Sequence, residues 1–388
     1  MRKLLGLLLF TLPVWADDTV QIKPVATLPS AKYLSVEAPF RCSMQDFETK
    51  AIATSLSIKP NHFKLVATEH NDPLPRYRVN GLSLQKTSAD QVVQLLVKEA
   101  GIKVYTTEKA YPTLSTQDVY GELDKVLDSL SNAGEFFYRY NKNTQNLTLT
   151  KYGYFDIQLP QDSVVMLAVL DAFRGSGIVD ITPNWNTSTI TVMLTKKQYH
   201  QAKFILDTIL KEGRLLLMDV HVYAIDAPEK GINWQTVISK MGMGKIYATA
   251  SGLVGKMVNT GHIKTHESWA DRIAQTYPIE LLSKGIAVVP NGWKARFDVG
   301  RCAVDVKKLN ALSLLLTSKI KTARDMETQI TLDTSAGEIS SFTALGGIDE
   351  ELVIVGIPAT IVGFSRGELL ITFKLRLIRL TKEEGENK

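Results

Sequence analysis

The opening of the chain limits what the rest can become. Arg2 and Lys3 give a basic start, Leu4 to Leu12 is an apolar run interrupted by Gly6 and Thr11, Pro13 breaks it, and Val14-Trp15-Ala16 ends on a small residue. This is the pattern of a Sec signal peptide and is too short for a spanning helix. Cleavage is expected after Ala16, and with no cysteine following it a lipid anchor is not expected. An exported chain folds in an oxidising compartment. No later segment offers about 18 consecutive apolar residues. If this chain meets a membrane, it must therefore do so as β-structure, the other architecture that satisfies every backbone group.

Composition narrows the classes further. Hydrophobic residues make up 45% and charged residues 22% of 388, a globular balance. The formal net charge is +5. Without Arg2 and Lys3 it falls to +3, so there is no electrostatic case for nucleic-acid binding. Two cysteines exclude a disulfide-dense scaffold or a multi-zinc array.

After the signal peptide (1–16), residues 17–75 are punctuated by Pro24, Pro29, Pro39, Pro60, Pro73 and Pro75, with one short helix expected over Met44–Leu56 and a linker at Asn71–Pro75. A small α+β domain is expected over 76–151. It comprises a strand from Arg76 to Leu84, a helix capped by Ser88, a strand Ile102–Thr106, a second helix opening at Thr116 and a strand pair Phe136–Tyr140 and Leu147–Lys151. A second small α+β domain, 152–213, carries a strand Phe155–Leu159, a helix Val164–Phe173, strands Val179–Pro183 and Thr189–Leu194 around Asn184-Trp185-Asn186, and a helix Lys196–Lys211.

Residues 214–388 read as mainly β. Leu216, Met218, Val220, Val222 and Ala224 share one face of a strand, and Asp219, His221 and Tyr223 the other. Further strands are expected at Phe297–Val306, Leu312–Thr322, Glu327–Asp333, Leu352–Val355, Ala359–Phe364 and Glu368–Leu380. Glu267–Leu282 reads as a helix broken at Pro278, and the glycine-rich Met241–Gly261 as a flexible insertion between strands.

The order of these pieces resembles that of the bacterial secretins. The stretch Ile181–Val192 resembles the strand-turn-strand of the secretin ring-building domain, with Trp185 in its turn, and Phe204-Ile205-Leu206-Asp207 resembles that domain's last helix. Leu216–Ala224 resembles the first strand of the secretin β-domain, Gly231-Ile232-Asn233-Trp234 the Gly-x-x-Trp signal that follows it, and Ala295–Gly300, with Val299 and Gly300, the strand after the gate region. The resemblance spans roughly residues 80 to 380. It implies two small periplasmic α+β domains followed by a C-terminal β-rich domain, and a homo-oligomeric outer-membrane channel for pilus extrusion, conjugation or protein secretion. Its partners would be further copies of the chain, other components of that apparatus and the outer membrane. Neither a catalytic role nor a cofactor is implied.

Two departures suggest the alternative of a periplasmic ring or scaffold without its own pore. Only Gly356-Ile357-Pro358 stands where the family carries a longer proline-containing stretch, and no long tail follows Leu380. Met241, Gly242, Gly244, Gly252, Gly255 and Gly261 are the candidate constriction.

Other constellations have plainer explanations. His262 and His266, with Glu267 beside them, have helical ligand spacing but not the metalloprotease order, and a solvated or pore-facing segment explains them better. Gly242-x-Gly244 and Gly252-x-x-Gly255 lack the Lys-Ser/Thr of a phosphate loop. Cys42 and Cys302 could bridge the N-terminal segment to the β-domain or to a neighbour, or remain two isolated thiols.

Overall fold

Side chains alternate along a strand with period 2 and recur along a helix with a period near 3.6, and these two periods account for most of the elements observed. The computed structural model describes residues 37–39, 42, 55–228, 231–240, 245–247, 250–252, 256–259, 268–304, 309–322 and 325–382. These fall into two compact units, one of 69–153 with 195–197 and one holding the remainder.

In the smaller unit, Arg78–Ser88 pairs antiparallel with Thr113–Glu122, and Lys103–Thr106, Asn146–Thr150 and Phe137–Asn141 form a three-stranded sheet. Helix Ala89–Val97 buries Val92, Val93, Leu96 and Val97. Ser88 holds its N-cap position with extended backbone but makes no side-chain cap bond. The helix expected from Thr116 starts only at Leu123 and runs to Ala133. The residues before it are a strand rich in Thr, Val and Tyr, types that fit a pleated surface. Val119 therefore reaches the core from a strand.

The Asn71–Pro75 segment, read as a linker, is stitched to the unit. Asp72 N–H donates to Tyr140 O at 3.0 Å, and Asn71 Oδ1 accepts from Tyr140 N at 2.8 Å. Asp72 Oδ2 accepts from Lys142 N at 3.0 Å. That backbone N–H, with help from His70, holds the Asp72 carboxyl below its usual range. A depressed carboxyl contributes stability that is present above its unfolded pKa, about 4, and is lost as pH falls through the lower folded value. Asp72→Asn should thus shrink the difference in melting temperature of this unit between pH 7 and pH 3. An unchanged difference would remove Asp72 from the acid response.

In the larger unit, apart from the terminal residues 152–153 and 195–197, Leu65–Ala67, Tyr152–Gln158, Thr189–Thr195 and Ile181–Asn184 form a four-stranded sheet with helices Ser163–Gly175 and Lys196–Glu212. Asp162 caps the first helix, its Oδ1 accepting from Val164 N at 2.7 Å and Val165 N at 3.3 Å. Every residue from Val164 to Phe173 is buried. A helix buried on all sides, Asp171 included, needs two surfaces to cover it, and the second is supplied by Ile279–Pro290 and Glu37–Pro39. The segments expected as separate domains on either side of residue 213 thus cluster in one unit.

The rest of this unit is two sheets packed face to face. One has the order Lys245–Tyr247, Lys256–Asn259, Glu351–Pro358, Glu368–Lys382, Arg214–Ile225, Ile279–Pro290, with Ser55–Ile58 added parallel to the end of Glu368–Lys382. The other runs Glu37–Pro39, Lys294–Asp298, Leu312–Ile320, Asp325–Thr334, Gly337–Gly347, Ala250–Gly252. Their shared core includes Val220, Phe297, Leu314, Ile330, Phe342 and Phe373.

Several expectations give way to the structure. Leu56, placed at the end of a helix, lies on the Ser55–Ile58 strand, and residues 43–54 lie outside the described residues. Glu267–Leu282 resolves, where described, into helix Trp269–Ala274 and, beyond Pro278, the start of the long strand Ile279–Pro290. The Phe297–Val306 strand ends at Asp298, where the backbone turns through Val299–Cys302. Ala359–Phe364 is no strand: Ala359–Val362 is a 3₁₀ turn closed by Gly363. The described parts of 241–261 are strands in both sheets rather than a plain insertion. Gly337–Gly347 is a strand that the sequence pattern does not announce. Among the described residues no helix is long and apolar enough to cross a membrane.

Candidate functional site

The strand Arg214–Ile225 is central to the larger sheet, paired on both sides over most of its length. Met218, Val220 and Val222 are fully buried toward the second sheet, opposite Leu375, Phe373 and Ile371. The intervening Asp219, His221 and Tyr223 are only half-buried on the far face. Asp219 lies 3.7 Å (Oδ1) from His221 Nδ1 and is opposite Lys374.

Beyond that strand the chain makes a carboxylate clamp around Gly231–Trp234. Glu368 opens the last long strand, and its two oxygens take two donors: Ile232 N–H at 2.9 Å and the indole Nε1–H of Trp234 at 2.5 Å. Gly231 has φ +74°, and a Cβ there would lie 3.0 Å from Glu368 Oε1, so a side chain would be both strained and crowded. Gly367 is tighter still: φ +100°, with a Cβ placed 2.5 Å from Ile225 O. Asn233 Oδ1 accepts from Thr236 N at 3.1 Å, which starts helix Trp234–Lys240. The indole then packs with Ile238, Trp269, Ile273, Val353, Val355 and Leu370 on the far face of the larger sheet. A second carboxylate, Glu351, accepts from Trp269 N at 3.1 Å and holds helix Trp269–Ala274 over the same face.

The smaller of the two packed sheets has one dry and one wet face. Its outer face carries Arg296, Thr317, Gln329, Thr331, Ser341 and Thr343, aligned in rows across the strands, with Leu315 between Arg296 and Thr331 and Leu345 opposite Glu327. Thr331 and Ser341 hydroxyls lie 3.4 Å apart, and Ser313 Oγ donates to Asp298 Oδ1 at 2.6 Å. Even its dry face holds a buried hydroxyl pair, Ser318 and Thr328, at 3.0 Å, each satisfying the other.

The residues singled out from sequence are dispersed. Met218, Val220, Val222 and Trp234 belong to the β-module; Val299 is buried in the inter-sheet core with the first three, its N–H donating to Leu312 O at 2.9 Å, and Gly300 follows in the turn. Trp185 is elsewhere, half-exposed at the Ile181–Asn184/Thr189–Thr195 hairpin tip. Of the candidate constriction, Gly252 is on a strand, opposite Ser340; Met241, Gly242, Gly244, Gly255 and Gly261 lie outside the described residues, as do His262, His266 and Glu267. Cys42 and Cys302 are joined by a disulfide. Among the described residues no group of three or more His, Cys, Asp or Glu could hold a metal. Sequence reading missed Glu351 and Glu368 as clamps. An acid at a strand's first residue is an ordinary surface feature, and its partner is far off in the chain.

No protein-family model and no curated protein matches the chain. Among solved structures it is similar to bacterial secretins. These include the type IV competence pilus secretin PilQ of V. cholerae (10% identity, 76% of this chain and 99% of that one, TM-score 0.20). The type II secretion secretin XcpQ of Pseudomonas aeruginosa matches at 12% identity over 79% and 92%, TM-score 0.21. GspD of E. coli K12 matches at 14% over 79% and 76%, TM-score 0.20. Likeness at this level gives no residue-by-residue correspondence.

Proposed function

We propose that the chain is a subunit of a homo-oligomeric secretin-type channel at the outer membrane, serving pilus extrusion, conjugation or protein secretion. The supporting observation is the two-layer β-module. Its core is sealed between the sheets, while the outer face of the smaller sheet is mostly hydroxyl, amide and charged groups, with Leu315 and Leu345 among them, as suits the wall of an aqueous passage. The export signal expected at residues 1–16 and the order of the sequence motifs agree with this reading. The β-edges of one subunit would be satisfied by its neighbours through a heterologous, ring-closing contact. No catalytic residue takes part.

Extraction of the chain from cell envelopes in detergent, followed by electron microscopy, tests this reading. Closed rings of many copies are expected. A monomer that stays soluble without detergent would refute it.

One observation favours the second reading, a periplasmic ring without its own pore. Neither outer face of the described module presents a continuous apolar band: one is polar apart from Leu315 and Leu345, and the other is covered by helices Trp234–Lys240, Trp269–Ala274 and Ser163–Gly175. Rings that leave the outer membrane impermeable to large antibiotics, and that wash off envelopes at high pH, would select it.

A further inference from the structure

Helix Ser163–Gly175 is covered by two segments that are held in place very differently. Ile279–Pro290 is secured by its ladder with the whole of Arg214–Ile225 from Leu215 onward. Glu37–Pro39 has three residues, pairs parallel with Lys294–Arg296, and touches both the helix and Ile279–Pro290. Three residues on, Cys42 is bonded to Cys302. Cys302 stands on a fixed support. Its N–H donates to Asp298 O at 3.1 Å, and its carbonyl accepts from the Ser283 hydroxyl at 2.8 Å, on the strand that forms the first cover. Cys302 is buried, and Cys42 packs against the inter-sheet core.

A three-residue ladder is a weak hold. Loop-closure entropy opposes joining segments 260 residues apart, and so short a strand returns few hydrogen bonds. The covalent bond removes most of that closure cost. Without it the second cover opens readily, as weakly held termini do. Helix Ser163–Gly175, buried along all of Val164–Phe173, then turns apolar surface to water. The α+β layer of the larger unit is left with one of these two covers against the β-module.

We propose that the Cys42–Cys302 bond is a staple that fixes Glu37–Pro39 over helix Ser163–Gly175, and that its formation is a required step between export and ring closure. The staple makes the α+β layer and the β-module one body; the ordering rests on the proposed function, a ring-forming subunit. The step needs a disulfide oxidant in the exported compartment. The Cys42 thiolate attacks one sulfur of the oxidant's disulfide to give a mixed disulfide. The Cys302 thiolate then attacks Cys42 Sγ and displaces the oxidant's thiolate. The two thiols of the chain give up two electrons and two protons, and the oxidant leaves as a dithiol. Cys42 is the less buried partner and so the sulfur that an oxidant reaches in the folded chain.

Hydrogen exchange on the full chain tests the staple, comparing the oxidised protein, the same protein reduced with dithiothreitol after folding, and Cys42→Ser. Without the bond, peptides covering 37–39 and 163–175 should exchange at least about tenfold faster, while Leu312–Ile320, inside the smaller sheet, keeps its protection. Unchanged exchange over 163–175 would overturn the staple, even where 37–39 loosens. Equal loss of protection at Leu312–Ile320 would overturn it too, leaving the bond a general stabiliser. Reduction acts on protein already folded, so a folding failure of Cys42→Ser leaves this comparison intact. Electron microscopy of detergent extracts tests the order of events. Cys42→Ser should give at least about tenfold fewer rings than the oxidised chain. Rings of Cys42→Ser at the same yield would overturn oxidation as a required step. If the oxidised chain itself forms no rings, the proposed function and the ordering fall together, and the exchange result still decides the staple.

Discussion

Trp234→Ala should destabilise the β-rich unit by about 3–5 kcal/mol, the usual cost of emptying a large buried aromatic site. The reason is local and twofold. The indole fills a cluster that holds two helices to the far face of the larger sheet, and its N–H satisfies a carboxylate that would otherwise sit half-buried with one donor fewer. Trp234→Phe separates the two contributions, since it keeps most of the ring volume but drops the bond to Glu368. A loss of about 1.5–3 kcal/mol is expected, the range for hydrogen bonds to charged groups. Glu368→Gln tests the same bond from the other side. The amide retains one acceptor but turns a donor toward either Ile232 N–H or the indole, so at least one of the two bonds is lost. Urea unfolding followed by circular dichroism reads all three. If Trp234→Ala cost less than about 1 kcal/mol, the clamp would not be a structural element of the module.

The same clamp shows where sequence information ends. The Gly231-x-x-Trp234 spacing is visible in the chain, and so is the alternation from Leu216 to Ala224, because both are local patterns with a fixed period. Glu368 is 134 residues from Trp234, and nothing near either residue specifies the other. The segment before Leu123 shows the opposite failure. Val119, Leu123, Val126, Leu127 and Leu130 keep helical spacing across a true boundary, and only pairing with Arg78–Ser88 decides that Val119 belongs to a strand.

Ala359–Phe364 has the look of a strand because it is β-branched and apolar. A left-handed Gly363, at φ +101°, instead turns it into a 3₁₀ end whose Ala359 and Val362 fill the core. The parallel strands Glu37–Pro39 and Ser55–Ile58 are illegible for the same reason as Glu368: partner choice in a sheet depends on the whole topology, which a short proline-bearing segment does not encode.

The division of the smaller sheet into a dry and a wet face yields the other large effect. Phe297→Ala and Phe342→Ala, each removing a side chain no more than 1% exposed between the layers, should cost about 3–5 kcal/mol apiece. Leu345→Ala, on the same sheet but 63% exposed, should change stability by no more than about 0.5 kcal/mol. A sheet whose two faces responded alike would not be packed as described. In the rings proposed for this chain the contrast should become chemical. Gln329→Cys and Thr343→Cys place thiols on the hydroxyl-lined face, and a water-soluble maleimide should modify them in the intact particle. A thiol at Phe342→Cys should react only after unfolding. If the proposed passage lies along this face, a bulky maleimide at Gln329→Cys should also obstruct it while leaving the ring assembled. Labelling that dissociated the rings would place the face at a contact between copies. Protection of Gln329→Cys and Thr343→Cys in the ring, with ready labelling in the separated subunit, would point to the same conclusion and exclude this face as the lining of a channel.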